Sequence, residues 1–374
     1  MSFRWLAILV MVAAACTGCR EPSGARVHHW VALPNAYATH FQVFADGGTY
    51  RLLVFGHGGR RDTVTDAVVS APFHRVAIAS TTHAAFIGAL YRTQAIVGCA
   101  GTRGARDPAL RKAIDDGLVV EIGTPDGMDR ERTIALKPDA VFGYPFGGEG
   151  SALHDLGIPV LQVSEYLEEH PLGRAEWLRF FGVVLGRIAM ADSLFRGIAL
   201  RYERVRVSVP RDTLPIVLFG SEWQGQWWVP PGNSHMARLI QDAGGRYVFA
   251  DRRGSGNIAI DKETMVQVGT RADIWGMIVD AAPGDHGPEL FTGGDAGVGS
   301  FKAVRTGRLF YGNSRVVDLF GQALVEPDRV LFDLASILRS DSARTEGRLP
   351  YWNAAVRTAA PVRASLSPSA TTGR

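Results

Sequence analysis

Two copies of one short acidic phrase are the residues whose pattern most directly indicates a function. The first copy begins at Asp129-Arg130-Glu131 and the second at Asp261-Lys262-Glu263, and each continues into an apolar segment, at 140–143 and 272–276. Each copy places an Asp at a helix N-cap position and a Glu in the first helical turn. A carboxylate held on a helix can accept two hydrogen bonds from one guanidinium. The repeat therefore predicts two similar lobes that dock onto a partner through Glu131 and Glu263.

The simpler interpretation of each Glu is that it only complements the dipole at its helix N-terminus. Taken one at a time, that interpretation is the better one. The recurrence of the Glu at the same position of both copies favours docking.

Candidate ligand contacts follow the predicted strands. In open α/β sheets a ligand binds outside the carboxyl ends of the strands, so we expect the ligand contacts in the loops there. The candidates are Thr82, His83, Tyr144 and Tyr166 in the first half and Trp223, Trp227, Trp228 and Arg252 in the second. Aromatic side chains with an Arg suit a large planar or amphipathic ligand that carries negative charge. The alternative for the Trp group is ordinary packing, above all for Trp228, which stands beside Val229-Pro230.

His83 is the sharpest candidate for contact with a metal, because it follows a strand end and could fill an open coordination position. A single His is more commonly a hydrogen-bonded loop residue. The ten His show no tight metal-ligand spacing, and neither Gly-x-Ser-x-Gly nor His-Glu-x-x-His occurs. We therefore expect no metal site of the protein's own, no cofactor and no enzymatic activity.

The elements that position these residues alternate between strands and helices. Apolar strands are predicted at 75–79, 95–98, 119–123, 140–143, 159–163, 216–220 and 309–311. This alternation predicts α/β lobes with mainly parallel sheets and right-handed crossovers. Asp46-Gly47-Gly48, between the apolar segments 41–44 and 50–55, predicts a β-hairpin ahead of the first lobe.

Residues 172–209 contain no Pro and carry apolar residues at helical spacing, which predicts one rigid helix of roughly thirty residues between the lobes. The predicted divisions are a signal segment at 1–19, a tether and β-hairpin element at 20–71, an N-terminal lobe at 72–170, a linking helix at 171–209, a C-terminal lobe at 210–340 and a polar tail at 341–374.

The N-terminus predicts export. Arg4 precedes an apolar run at 5–15 that is too short to span a bilayer, and Thr17-Gly18-Cys19 has the small residues that precede a lipidated Cys. We expect a lipid anchor at Cys19, with Cys16 as the alternative; an ordinary secretory signal is the simpler possibility.

Cys99, the remaining cysteine, follows an apolar strand and is expected to be buried. A net charge of +3 over 374 residues gives no indication of nucleic-acid binding.

The order of these motifs resembles a known family. The linking helix, both Glu phrases, Ala135-Leu136-Lys137-Pro138-Asp139 and the ending at 327–334 are similar to substrate-binding proteins of ABC importers, in the cluster with a rigid helical spine. Residues 172–177 and 229–234 resemble its lipoprotein branch. The resemblance covers about residues 72–340.

That resemblance implies an exported, lipid-anchored, monomeric receptor for an iron-siderophore, haem or cobalamin-type chelate. It also implies that Glu131 and Glu263 contact Arg residues of an ABC transporter permease, which works with its own ATPase. Three alternatives stay open at this point: a receptor for a free metal ion, an exported metal-dependent hydrolase and a surface scaffold lipoprotein.

Overall fold

A computed structural model describes residues 28–124, 127–144, 153, 156–285, 287, 289–292, 296–339 and 349–355. It begins with a four-stranded antiparallel sheet made of β1 (Val31–Leu33), β2 (Phe41–Asp46), β3 (Thr49–Phe55) and β4 (Thr63–Ser70) in that spatial order. Gly47 and Gly48 both have positive φ and join β2 to β3, as a two-residue hairpin turn requires. The predicted hairpin is confirmed and is the centre of a larger element.

The first lobe is a five-stranded parallel sheet with helices. Its strands are β5 (Val76–Ile78), β6 (Ile96–Cys99), β7 (Val120–Glu121), β10 (Ala140–Gly143) and β11 (Val160–Gln162), and a short ladder pairs β8 (Gly123–Thr124) with β9 (Gly127–Met128). The spatial order is β11-β10-β5-β6-β7. The helices are α1 (Thr81–Ala89), α2 (Pro108–Asp115) and α3 (Arg130–Ala135). Every residue of β5 is buried, as expected for a central parallel strand covered on both faces.

The second lobe repeats this plan. Its main sheet has the order β15-β12-β17-β18-β19, from β12 (Ile216–Phe219), β15 (Arg246–Tyr247), β17 (Ile274–Val279), β18 (Leu309–Asn313) and β19 (Asn353–Ala354). A second sheet joins β13 (Ser221–Trp223), β14 (Gln226–Val229) and β16 (Ile258–Ile260). The fold class predicted from the sequence, two α/β lobes with mainly parallel sheets, is confirmed.

Residues 349–355 belong to the second lobe, which corrects the predicted tail beginning at residue 341. β19 pairs antiparallel with β18, and the Trp352 side chain is buried against Phe219 and Phe310. The buried Asp333 carboxylate accepts the backbone N–H of Tyr351 at 2.7 Å and fixes the returning chain. Composition suggested a polar tail because residues 341–374 as a whole are rich in Ala, Ser, Thr and Pro. Residues 340–348 and 356–374 of the predicted tail lie outside the described residues.

The single linking helix predicted at 171–209 is instead two helices, α4 (Pro171–Val184) and α5 (Ile188–Ser208). Gly186 has φ of +67°, and the N–H groups of Gly186 and Arg187 donate to the carbonyls of Val183 and Gly182. This is a Schellman ending, which stops a helix at a left-handed glycine. The 21-residue α5, about 31 Å long, is therefore the connecting helix.

The described residues of the second lobe also form several helices. They are α6 (His235–Asp242), α7 (Lys262–Gly269), α8 (Glu289–Thr292), α9 (Lys302–Thr306), α10 (Gln322–Val325) and the closing helix α11 (Pro327–Arg339). Tyr202 of α5 donates a hydrogen bond to Asp242 of α6 at 2.8 Å, and Arg201 forms an ion pair with Asp328 of α11. These contacts attach the connecting helix to the second lobe.

Two buried carboxylates attach the N-terminal sheet to the first lobe. Glu176 of α4 accepts the backbone N–H groups of Ala36, Tyr37 and Ala38 at 2.7–2.8 Å. Glu168, just before α4, accepts the N–H groups of Thr39 and His40 at 2.9–3.0 Å. A buried charge is tolerated only when it is fully hydrogen-bonded, so segment 36–40 and helix α4 stabilise each other.

Glu176→Ala should lower the free energy of unfolding by roughly 3 kcal/mol, because three backbone N–H groups lose their acceptor. Protease cleavage between residues 28 and 70 should become faster at the same time. Glu203→Ala is the matched control, since that carboxylate pairs with Arg206 at the surface and should contribute little. Urea denaturation and limited proteolysis measure both effects; equal stability of the two variants would contradict the attachment.

Candidate functional site

A cavity of about 870 Å³ lies between the two lobes. Phe219 and Ile278 reach it from the carboxyl ends of β12 and β17, neighbouring strands in the second sheet, and Tyr166 reaches it just after β11 of the first. The connection after β12 leads to β15 on one side of the sheet, and the connection after β17 leads to β18 on the other side. The switch point, where α/β sheets bind ligands, therefore lies between β12 and β17. The location matches the strand-end rule applied to the sequence.

The second lobe supplies an aromatic wall. Trp228, Phe219, Phe320 and Trp352 line the cavity, and Phe219 meets Trp352 edge-on at 5.7 Å between ring centroids. Trp228 is half-buried, and among the described residues its indole N–H has no hydrogen-bond partner. An indole with an apolar face and an unused donor suits a ligand that is flat and carries acceptor atoms.

The first lobe and α4 supply a partly buried cation. The Arg174 guanidinium lines the cavity, and its Nη1 lies 3.0 Å from Nε2 of His235, which accepts the hydrogen bond because Arg can only donate. Burial, and then Arg174, hold the pKa of His235 well below its usual value, so this imidazole is neutral. Nε of Arg174 finds no partner within the described part of the chain.

Glu165 is the buried carboxyl near Arg174, and it neutralises the charge of the guanidinium only in part. Burial raises the pKa of Glu165 to about 7, with Arg174 acting in the opposite direction. Near neutral pH this carboxyl is therefore protonated for part of the time. A guanidinium with an incomplete counter-charge and an unused N–H is a site for a carboxylate, phosphate or other anionic group of a ligand.

His83 is a core residue in this structure. It is the third residue of α1, is fully buried, and lies 5.3 Å from the Tyr144 ring and 6.1 Å from the Phe181 ring. Burial lowers the pKa of His83 to about 3, so it is neutral. The structure places it off the cavity wall.

Thr82 and Tyr144 lie one layer behind Tyr166. The hydroxyls of Ser80, Thr82 and Tyr144 form a closed hydrogen-bonded set with distances of 2.9–3.2 Å. The Tyr144 ring meets the Tyr166 ring at 5.8 Å. The set therefore fixes the Tyr144 ring, against which Tyr166 packs.

The predicted second-lobe residues separate into three environments. Trp228 lines the cavity, whereas Trp227 is buried against Trp275 and Phe301 and Arg252 is exposed away from the lining. Trp223 is 64% exposed, but the β13–β14 pairing puts it on the same face as Trp228, at the outer end of the hairpin. Trp223 therefore shares a strand face with Trp228 but does not line the cavity.

Several lining residues were missed from the sequence. They are His40, His57, Arg174, His235, Phe320 and Trp352. Arg174 lies in the segment predicted as the linking helix, and Trp352 lies in the segment predicted as the polar tail. Neither residue is near a predicted strand end. For His235, the sequence signal was Ser234, whose side chain caps the helix that His235 begins.

Glu131 and Glu263 occupy equivalent places in the two lobes. Asp129 and Asp261 cap α3 and α7 by accepting the N–H of the residue three positions later, at 3.0 and 2.7 Å. Each helix leads into a strand, β10 or β17, that lies beside the first strand of its sheet. Both Glu side chains are exposed and neither lines the cavity. The docking role stays a prediction.

Other sequence predictions concern cysteines and metals. Cys99 is buried, as expected, whereas Cys16 and Cys19 lie outside the described residues. In the described ranges, no three His, Cys, Asp or Glu side chains are grouped so that they could hold a metal ion. In the same ranges, no helix has the length and apolar character needed to cross a membrane.

Residues 76–316 match the family model described as periplasmic binding protein. The chain belongs to the periplasmic binding protein family. This confirms the resemblance drawn from the motifs. An uncharacterized lipoprotein of Methanocaldococcus jannaschii is 27% identical over 288 residues, which cover 74% of this chain and 67% of that protein.

Solved structures show the same fold. A periplasmic binding protein from Veillonella parvula is 14% identical with a TM-score of 0.61, covering 78% of this chain and 97% of that one. A periplasmic heme binding protein from Pseudomonas aeruginosa is 19% identical with a TM-score of 0.57, covering 77% and 100%. The family and these structures are named for binding and not for catalysis.

In the wild type, the free energy of unfolding should fall as the pH rises from about 4.5 to 7, and Glu165→Gln should make this fall smaller. The folded pKa of Glu165 is about 7 against an ordinary 4.5, so the folded state holds the extra proton in this window. Its stabilising contribution is complete below pH 4.5 and is lost as the pH rises through 7, up to roughly 3 kcal/mol. Urea denaturation at several pH values measures the difference between variant and wild type. Glu169→Gln, at an exposed neighbour, is the control, and parallel profiles for wild type and Glu165→Gln would contradict the assignment.

Proposed function

We propose that this protein is the lipid-anchored substrate-binding component of an ABC importer. It captures an iron-siderophore, haem or cobalamin-type chelate between its lobes and delivers it to a membrane permease. The observation that carries the proposal is the interlobe cavity, which is lined by Trp228 of the second lobe and by the partly buried Arg174 of α4.

The size and lining of the cavity favour a large chelate over a free ion. A volume of about 870 Å³ is near the upper end for small-molecule sites. A receptor for a bare ion needs several ligating side chains that converge, and the described residues contain no such group. Solved structures with this fold include a siderophore binding protein bound to acinetobactin and ferric iron and the heme binding protein above. Both of those proteins are named for cargo of the proposed class.

Delivery requires a surface that the permease can recognise. Glu131 and Glu263 are exposed on the first turns of equivalent helices, one on each lobe, and their backbone positions are fixed by the Asp129 and Asp261 caps. Two carboxylates on separate lobes define both position and orientation when each pairs with an Arg of the permease. A solved structure from Listeria monocytogenes is named as an ABC transporter substrate-binding protein, which supports the proposed partner.

An anchor at Cys19, or at Cys16, would keep the receptor beside its permease. Two Methanocaldococcus jannaschii relatives are named lipoproteins, which supports the anchor proposed from the sequence. We propose a monomer that faces the periplasm or the cell exterior.

Chelate binding should quench the tryptophan fluorescence of the protein from residue 20 onward, because Trp228 lines the cavity. The probes are haemin, ferrioxamine B, cyanocobalamin and Zn²⁺. One chelate should bind at micromolar or lower concentration, and Trp228→Ala should weaken it by at least about tenfold. Trp30→Ala, a change in the N-terminal segment outside the cavity lining, is the control. A folded protein that binds none of the chelates would contradict the proposed function, and saturable Zn²⁺ binding alone would favour an ion receptor.

Glu131→Ala combined with Glu263→Ala should abolish chelate uptake by cells while leaving chelate affinity unchanged, because both side chains lie away from the cavity. Glu289→Ala, another exposed first-turn Glu of the second lobe, should leave uptake intact. Uptake assays and fluorescence titration separate the two effects. Loss of affinity in the double variant would place these residues in ligand binding instead.

A further inference from the structure

We propose that the N-terminal β-sheet is a third wall of the ligand site, and that its His57 and His40 side chains contact the cargo. The sheet spans β1 to β4 and ends at Ser70, before the region 76–316 that matches the family model. Both imidazoles nevertheless line the interlobe cavity. The inference rests on the proposed function, because it concerns how the same cavity recognises its ligand.

His40 is held at the cavity from two sides. Its Nδ1 lies 3.1 Å from the carbonyl oxygen of Phe55, which orients the ring. Its backbone N–H donates to Glu168 at 2.9 Å, and Glu168 is itself a lining residue at the start of α4. The position of His40 is therefore fixed by the same carboxylate that fixes the cavity wall.

His57 lies in a tight loop at the end of β3. The loop is closed by backbone hydrogen bonds from Gly56 to Asp62 at 2.7 Å and from Asp62 to Gly59 at 2.9 Å. The His57 ring meets the Tyr166 ring edge-on at 6.3 Å, and Tyr166 is one of the predicted ligand contacts. His57 is exposed, so its side chain has no role in the hydrophobic core. Its ring is instead placed where a ligand in the cavity would meet it.

The sheet is already attached in this position. Besides the carboxylates Glu168 and Glu176, the Thr65 hydroxyl of β4 accepts the backbone N–H of Gln162 at 3.0 Å, at the end of β11. β11 leads directly to Tyr166. A ligand in the cavity therefore finds the imidazoles in place and does not have to order them, which lowers the entropic cost of binding.

The chemistry of the third wall differs from that of the other two. An imidazole can donate or accept a hydrogen bond, and a neutral imidazole can also bind a metal with an open coordination position. The aromatic wall supplies area and Arg174 supplies positive charge. The sheet thus adds groups that select for the polar periphery of a metal chelate.

The test compares His57→Ala, His40→Ala and the double variant with His29→Ala in fluorescence titrations with haemin, ferrioxamine B and cyanocobalamin. His29 is an exposed histidine of the same N-terminal segment and does not line the cavity, so it controls for loss of a surface imidazole. For the probe that wild type binds, each cavity variant should weaken binding by about three- to tenfold, since each removes about one hydrogen bond. The double variant should be weaker than either, and His29→Ala should match wild type.

The outcomes separate this inference from the proposed function. A probe that binds wild type and both His variants equally would overturn the third wall and leave the proposed function standing. A folded wild type that binds no probe would overturn both. If His40→Ala fails to fold because its contact with Phe55 is lost, the exposed His57 decides alone.

Discussion

The architecture depends on two carboxylates that are buried at the start of one helix. Glu168 and Glu176 flank the first turns of α4 and have almost no exposed surface. Removing a carboxylate from water is costly, and the cost is offset here by the backbone N–H groups of residues 36–40, the Trp177 indole and Arg179. The N-terminal sheet, helix α4 and the first lobe are joined by this requirement.

The ligand site follows from the same constraint. α4 carries Arg174 toward the cavity, while Glu176, two residues later, faces the N-terminal segment. The helix thus separates a cation that is left for a ligand from an anion that is fully satisfied by the protein. On the other side of the cavity, the second lobe contributes Trp228 and Phe219 from its switch point.

The sequence was most informative where a local pattern determines the structure. The Asp caps at 129 and 261, the Gly47-Gly48 turn and the alternation of strands and helices are local signals, and the structure contains the corresponding elements. The break at Gly186 was missed because the apolar spacing continues across it, while the left-handed glycine that ends α4 is packed against Pro72 from a distant segment.

The site was only partly predictable for a similar reason. Strand-end reasoning located Tyr166, which lies in the loop after β11, and Trp228, which lies in the hairpin that follows β12. Arg174, His57 and Trp352 reach the cavity from a helix, an added sheet and a returning terminal strand, and their places depend on long-range packing. Trp227 shows the converse, since strand alternation turns neighbouring Trp side chains to opposite faces and buries this one.

A crystal structure of the protein with the chelate that binds it most tightly would decide whether the interlobe cavity holds the cargo. We expect electron density for the chelate between the lobes, with a flat face against Trp228 and an anionic group within hydrogen-bond distance of Arg174. A chelate bound elsewhere on the surface, with the interlobe cavity filled only by solvent, would contradict it.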